Sequence, residues 1–330
     1  MGTKRFEIYA PVIIPTLCRF DHFKRCIDSL SRCTGAEYTD LYIGLDFPAK
    51  DSHWPGYNKI CGYVSQITGF NRVVVYKRDY NYGAGANTKA LKDSIKNLYD
   101  RFIYSEDDNE FAPNFLEYMN EGLTRFKDNP NVLRICGNLM PWSANYDKIM
   151  GNYKWNAFPA MDHNALGVGC WFDKSFINPY TKESVLKSWR LTFKAFRDGY
   201  SVAINRMLIQ LYKDTQLPDV CFRLYCSFQH KYCIFPSVSK VKNWGYDGTG
   251  LHSDNNTNLI DLQVLDTSKE FYMDNFEIKD YPEVKTFVKQ MYNGNKSNKL
   301  MAMVSYVFYR ITGTRIRDVR EKVTKQKCNK

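Results

Sequence analysis

The stretch RFIYSEDDNEFAPNFLEYM, Arg101 to Met119, runs an apolar segment straight into three consecutive carboxylates, Glu106, Asp107 and Asp108, and then into an amphipathic helical pattern. Like charges within ~4–6 Å raise one another's pKa and weaken a fold, so a triplet of acids at the end of a buried strand calls for a partner. Two readings stand at this point. The acids open the next helix, where negative charge suits the positive end of the helix dipole and Pro113 suits a helix start. Alternatively, they hold a cation.

Working outward, strand and helix patterns alternate. PVIIP (11–15), DLYIGLD (40–46), RVVVYKR (72–78) and RFIYS (101–105) read as buried strands, separated by helical patterns over 20–30, 57–67 and 87–99. This order predicts parallel strands joined by crossover helices, a doubly wound α/β sheet whose ligand crevice lies at the carboxyl ends of the strands. Asp46, Arg78 and the acid triplet all fall at strand ends, so one crevice should gather them. Beyond the triplet, 114–126 and 219–230 read as helices, 183–198 as a single helix, and VLRICG (132–137) and 164–176 as strands; 232–253 reads as a strand followed by a glycine-rich loop. The stretch 138–162 reads as irregular and aromatic, and no internal repeat is present.

Composition narrows the class. At 330 residues, with 44% apolar and 15% aromatic content, the chain can bury a large core. Met1–Glu7 is polar and the run from Ile8 to Leu17 is broken by Pro11 and Pro15, so no secretory leader is expected. No segment reaches the ~18 apolar residues of a membrane span. The ten cysteines form no C-x-x-C pair and suit reduced thiols of a cytoplasmic protein, which argues against a zinc site. The net charge of +11 is concentrated at the end: 296–330 hold ten Lys/Arg against two acids. There Leu300, Met303, Val304, Val307, Phe308 and Ile311 recur at helical spacing, with Arg310, Arg315, Arg317, Arg320 and Lys322 close behind. Such a basic amphipathic extension suits an anionic membrane surface, or else packs on the body with a solvated basic end. No nucleic-acid motif accompanies the charge, so no nucleic acid is expected as a partner.

With these residues in view, the chain resembles the GT-A nucleotide-sugar glycosyltransferases. SEDDNEFAPNFLEYM is similar to the acidic motif and following helix of the Golgi N-acetylglucosaminyltransferases, and PVIIPTLCRFDHFKRCIDSL is similar to the opening of bacterial family-two enzymes. The resemblance covers about 8–253 in order of motifs. It implies a GT-A domain over 1–265, with a nucleotide-binding half at 8–137 and an acceptor half at 138–265, followed by a helical basic extension over 266–330.

The resemblance also implies roles. Asp108 would ligate a divalent cation, Mn²⁺ or Mg²⁺, joined by His252. Glu106 and Asp107 would reach the donor sugar, the ribose or metal-bound water. Pro15, Thr16 and Arg19 would hold the nucleoside, with Asp46 accepting from the base. Arg78, Asn81, Gly83 and Lys89 would lie beside the nucleotide-sugar, a UDP-sugar by family pattern. Gly167, Val168, Gly169 and Trp171 would shape the loop between donor and acceptor. Asp219 would be the general base of an inverting transfer, its pKa raised by partial burial. It lacks the family's acidic neighbour, because Pro218 precedes it and Val220 follows, so Asp198, Asp214 and Asp247 compete for the role. Trp142, Trp155, Trp171 and Trp244 are candidates to stack on sugar rings. A glycan or lipid-linked glycan in surface-polysaccharide assembly is the expected acceptor. Three rivals stay open: a nucleotidyltransferase, a retaining enzyme on the same fold, and an inactive glycan- or nucleotide-binding relative.

Overall fold

The computed structural model describes residues 5–139, 146–174, 178–212, 217–249, 258–293 and 296–316. The chain opens as the alternation predicts: β1 (Val12–Thr16), α1 (Phe20–Ser31), β2 (Asp40–Leu45), α2 (Trp54–Tyr63), β3 (Arg72–Lys77), α3 (Ala84–Ile95) and β4 (Arg101–Tyr104). A short β5 (Asn109–Phe111) follows the acids before α4 (Phe115–Arg125) and β6 (Val132–Cys136). Then come α5 (Tyr146–Met150), β7 (Ala157–Ala160), β8 (Val168–Trp171), α6 (Lys182–Lys187), α7 (Trp189–Asp198), α8 (Ser201–Ile209), α9 (Pro218–Gln229), β9 (Tyr232–Pro236), β10 (Val241–Asn243), α10 (Asn258–Asp261), α11 (Pro282–Asn293) and α12 (Lys296–Thr312).

Eight strands form one α/β mixed sheet in the order β3-β2-β1-β4-β8-β6-β9-β7. The pairs β1–β2, β2–β3 and β1–β4 are parallel, so their carboxyl ends share one rim. Strand β8 runs antiparallel to both β4 and β6, facing Phe102 with Cys170 and Ile135 with Gly169, and so joins the two halves of the sheet. Beyond it β6 and β9 are again parallel, and β7 closes the edge in reverse.

Each face is sealed by helices with one apolar stripe. In α1, Phe23, Ile27 and Leu30 are at most 1% exposed, each worth roughly 1.5–3 kcal/mol of burial. They pack with α2 and α4 on one face, while Leu91 and Ile95 of α3 cover part of the other with Ile13, Tyr42 and Phe102. A second large core lies under the β6, β7 and β9 end of the sheet and includes Val284, Phe287, Ala302 and Tyr306 from α11 and α12. The strap before α11 adds Phe271, Met273 and Phe276 to the first core.

Three local expectations change. The helix expected over 183–198 is two helices, because Ser188 turns extended (φ −101°, ψ 110°) and its side chain accepts from Leu191 N. The acids do not open a helix, because β5 intervenes and pairs antiparallel with β10. In α12 the buried positions are Ala302 and Tyr306, while Leu300, Val304 and Ile311 are 62%, 48% and 75% exposed. No helix among the described residues is long and apolar enough to cross a membrane.

Candidate active site

The rim formed by β1, β2, β3 and β4 gathers the acids with the residues that follow β1. Arg19, just before α1, spans two of the carboxylates, pairing with Asp107 and lying 2.9 Å from Asp108 Oδ2. Thr16 Oγ1 donates to Asp107 Oδ2 at 2.8 Å. On the far side, Asn243 Nδ2 donates to Asp108 Oδ1 at 2.7 Å, and Trp244 N donates to the Asp108 carbonyl at 2.8 Å. Gly245 is required here, since a Cβ would fall 2.4 Å from Asp108 Oδ2. Neither Asn243 nor Gly245 stands out in the sequence; only the Gly/Trp-rich NWGYDG loop hints at a close approach.

Electrostatics show what the cluster lacks. Three carboxyl groups face one guanidinium, so the cluster has more acid than Arg19 can balance. The Glu106 carboxyl is pushed up to about 8, by burial first and then by the charges of Asp108, Asp107 and Asp219. Burial and Asp108 also raise Asp107, although Arg19 and Thr16 pull it back. Arg19 is held more firmly protonated than usual: burial works against its charge, and Asp107 and Asp108 outweigh it. An all-oxygen donor set short of positive charge fits a hard divalent cation. His252 lies outside the described residues.

The segment after β3 is tied to β2. The buried Asp46 carboxylate accepts from Phe47 N (2.9 Å), Tyr82 N (2.8 Å) and Gly83 N (2.8 Å), with Asn81 Nδ2 at 3.4 Å. This corrects the role expected for Asp46: its acceptor capacity is spent fastening 81–83, because a buried carboxylate takes the backbone N–H groups it can reach. Gly83 (φ +74°) is the left-handed entry to α3. Arg78 Nε donates to Asn87 Oδ1 at 2.9 Å, while its Nη2 is buried with no hydrogen-bond partner. Lys89 points away from the acids, on the exposed side of α3 in a 2.6 Å pair with Asp93.

The β8 loop has a structural explanation. At Gly167 (φ +65°) a Cβ would fall 2.7 Å from Val241 Cγ2, and at Gly169 a Cβ would press on Leu123. Val168 is buried in the second core. Trp171 is 2% exposed, donates Nε1–H to Leu123 O at 3.0 Å and carries Lys174 Nζ 3.9 Å from its ring centre, so it is a core plug and not a sugar platform. Trp244 is likewise engaged, with Nε1 on Glu110 at 2.8 Å and Arg25 at 4.1 Å from its ring. Trp155 packs against Tyr153 and Tyr281. Trp142 lies outside the described residues.

Asp219 stands in the first turn of α9, its side chain 64% exposed and 3.6 Å from His163 Nε2. Its charge reaches Glu106, so the carboxylate faces the acid cluster across the crevice. The expected upward pKa shift is reversed: His163, then Arg223 and Arg134, hold Asp219 below its usual range and outweigh burial. Its competitors are committed elsewhere. Asp198 is held by Lys194, Arg197 and Ser227, and Asp247 by His22 (3.1 Å) and Thr249. Asp214 lies outside the described residues.

His163 also meets Cys136 and Cys233, with their donor atoms within 4.8 Å of one another. Arg134 Nη1 lies 2.8 Å from His163 Nε2, and Cys136 Sγ lies 4.0 Å from its Nδ1. Burial drives the Cys136 and Cys233 thiols well above their ordinary range, which works against the thiolates a metal would need.

No family model and no curated protein matches the chain. Among solved structures it is similar to S. aureus TarS at 13% identity and a TM-score of 0.28, over 36% of this chain and 20% of TarS, about a fifth of that chain's length. It is similar to the mannosyltransferase PcManGT from Pyrobaculum calidifontis, in complex with GDP-Man and Mn²⁺, at 10% identity and a TM-score of 0.37 over 69% of this chain and 74% of that one. It is also similar to mouse xyloside xylosyltransferase 1 in its apo form, at 11% identity and a TM-score of 0.35 over 67% of this chain and 82% of that one. At such distances the functional reading belongs to the site's own geometry.

Proposed function

We propose that the chain is a metal-dependent glycosyltransferase of the GT-A type that moves a sugar from a nucleotide-sugar to an acceptor hydroxyl with inversion. The observation that carries this reading is the acid cluster at the end of β4, with only Arg19 from the end of β1 to balance it and the exposed Asp219 close enough for its charge to reach Glu106. Asp108 and Glu106 would hold the divalent ion, Mn²⁺ or Mg²⁺. When bound, such an ion supplies positive charge for a departing diphosphate.

The chain's own residues do the rest. Arg78 Nη2 is a spare buried donor at the end of β3, suited to a diphosphate oxygen. Arg19 and Thr16 hold Asp107 in place, and the fastened 81–83 segment walls the donor side. Asp219 takes the proton from the acceptor hydroxyl, so one carboxylate suffices and no covalent intermediate is needed.

The test is donor hydrolysis across UDP-, GDP-, CMP- and dTDP-sugars with Mn²⁺, Mg²⁺ or EDTA. One nucleotide should be released slowly with metal, and Asp108→Asn should lower that release by roughly 100-fold or more. If no donor turns over with any metal, the acids serve structure only and the reading falls.

A membrane-borne acceptor completes the proposal. Leu300, Val304 and Ile311 of α12 form an exposed apolar stripe; on α7, Trp189 and Phe193 are 41% and 40% exposed and pack on Tyr306 of α12, with Arg310 lying 5.2 Å over the Trp189 ring. An apolar stripe flanked by arginines suits an anionic leaflet, where each Lys/Arg contributes about 1 kcal/mol. The protein should float with phosphatidylglycerol-containing vesicles and be released by high salt. Val304→Glu with Ile311→Glu should abolish flotation, and flotation unchanged in that variant would remove the membrane from the proposal.

A further inference from the structure

Beside Asp219 a groove of about 820 Å³ runs between α3, the exposed face of β4, β8 and β6, and the start of α9. Five cations line it, Lys89, Lys92, Lys96, Arg134 and Lys174, against the carboxylates Asp93 and Asp219.

Three of the five are accounted for. Lys174 Nζ donates to the carbonyls of Phe126, Asn129 and Val132 at 2.7–3.0 Å. Lys89 and Lys96 share Asp93, at 2.6 and 3.2 Å. Lys92 and Arg134 remain, and neither forms an ion pair among the described residues. The Lys92 ammonium sits 5.5 and 5.7 Å from the ring centres of Phe102 and Tyr104, half-buried on the sheet face. Arg134 lies 3.8 Å over the Phe222 ring and spends one N–H on His163. Burial pulls the Lys92 pKa down, and the Arg134 charge lowers it further. Both cations are partly desolvated and feel each other; the acids of the groove are Asp93, shared by Lys89 and Lys96, and Asp219, which the Arg134 charge helps to hold ionised, so an anion between Lys92 and Arg134 lowers the cost of their repulsion.

We propose that this groove takes a phosphate group of the acceptor, with Lys92 and Arg134 as its counter-cations and Asp219 at the mouth toward the acceptor hydroxyl. The inference rests on the glycosyltransferase reading for the word acceptor, and on the groove alone for the word phosphate. A guanidinium fork beside a point-charge ammonium matches a phosphate with one to two negative charges. The aromatic walls Phe102, Phe172 and Phe222 leave the rest of the groove apolar enough for a chain attached to that phosphate.

The experiment is calorimetric titration of the full-length protein, in EDTA, with glycerol 3-phosphate, decyl phosphate and the uncharged decyl maltoside. Wild type should bind the two phosphates, and Lys92→Met and Arg134→Met should each weaken that binding at least tenfold. Lys92→Arg and Arg134→Lys, which keep the charge, should recover most of it, and they report the site even if a methionine variant fails to fold. Decyl phosphate binding at least tenfold tighter than glycerol 3-phosphate assigns a lipid-borne phosphate; equal binding assigns a soluble one. Failure of both phosphates to bind wild type, or equal affinity in the Lys92→Met/Arg134→Met double variant, overturns the inference. Asp108→Asn should bind decyl phosphate as wild type does. Phosphate binding without donor turnover would therefore sink the glycosyltransferase reading and keep the anion site, and turnover without phosphate binding would do the reverse.

Discussion

Asp219→Asn should slow transfer to the acceptor by ~10²–10⁴-fold while leaving donor binding nearly unchanged. The carboxylate is the exposed acid facing the cluster across the crevice, and amide replacement keeps its shape while removing its basicity. The pH profile gives the sharper test. A carboxyl held below its usual range by His163, Arg223 and Arg134 is already ionised at mild acidity. The ascending limb of kcat should accordingly lie below the ordinary aspartate value of ~3.9, with a plateau through neutrality. A base with so low a pKa contributes little driving force, so most of the acceleration has to come from holding the hydroxyl in line. A limb at neutral or alkaline pH would remove Asp219 as the base.

Lys240→Met should cost ~3–5 kcal/mol of stability, measured by denaturant unfolding. Lys240 is 2% exposed and is paired with Asp266, which also accepts from Ser268 N (2.8 Å) and Asn114 Nδ2 (3.1 Å). The pair fastens the strap carrying Phe271 and Phe276 onto α4 and β10. Burial alone would raise the Asp266 pKa, yet Lys240, Ser268 and Asn114 bring it down to about 2. A carboxyl lowered on folding stabilises above its unfolded pKa of ~3.9 and loses that contribution as pH falls through the folded value. Wild type should therefore weaken between about pH 4 and 2, and Lys240→Met should show a shallower dependence there. Burial drags the Lys240 pKa down despite the pairing, so the ion pair itself carries a desolvation cost. A double Lys240→Met/Asp266→Leu variant should consequently recover most of the loss. If it is as unstable as the single variant, packing and not charge explains the effect.

The first four strands were readable because each is a β-branched or aromatic run followed by a helix with a clear apolar stripe, as Phe23, Ile27 and Leu30 show. Elements of three to five residues were not. Strand β7 carries Pro159, which suits an edge strand and breaks the pattern a reader looks for. Strand β5 hides inside the acidic stretch because only its partner β10 makes it a strand. In the site, the acid triplet, Thr16 and Arg19 were legible as local features at strand ends. Lys92, Arg134 and His163 were not, since a lysine on a helix and an arginine in a strand acquire meaning only from what faces them. Asp46 was found for the wrong reason: its place at a strand end was legible, its bonds to Tyr82 and Gly83 were not.

The bond between Asn243 and Asp108 spans 135 positions of the chain. At ~5–20 residues per second of synthesis, the acids leave the ribosome on the order of ten seconds before the loop that orients Asp108. Through that interval β1 to β4 can already pair, because their contacts are local and their crossovers complete. The rim therefore exists before its last wall does, and a nascent chain carries an acid cluster that is present but unaimed. Under the proposed function, competence would arrive only when the NWGYDG turn closes over it.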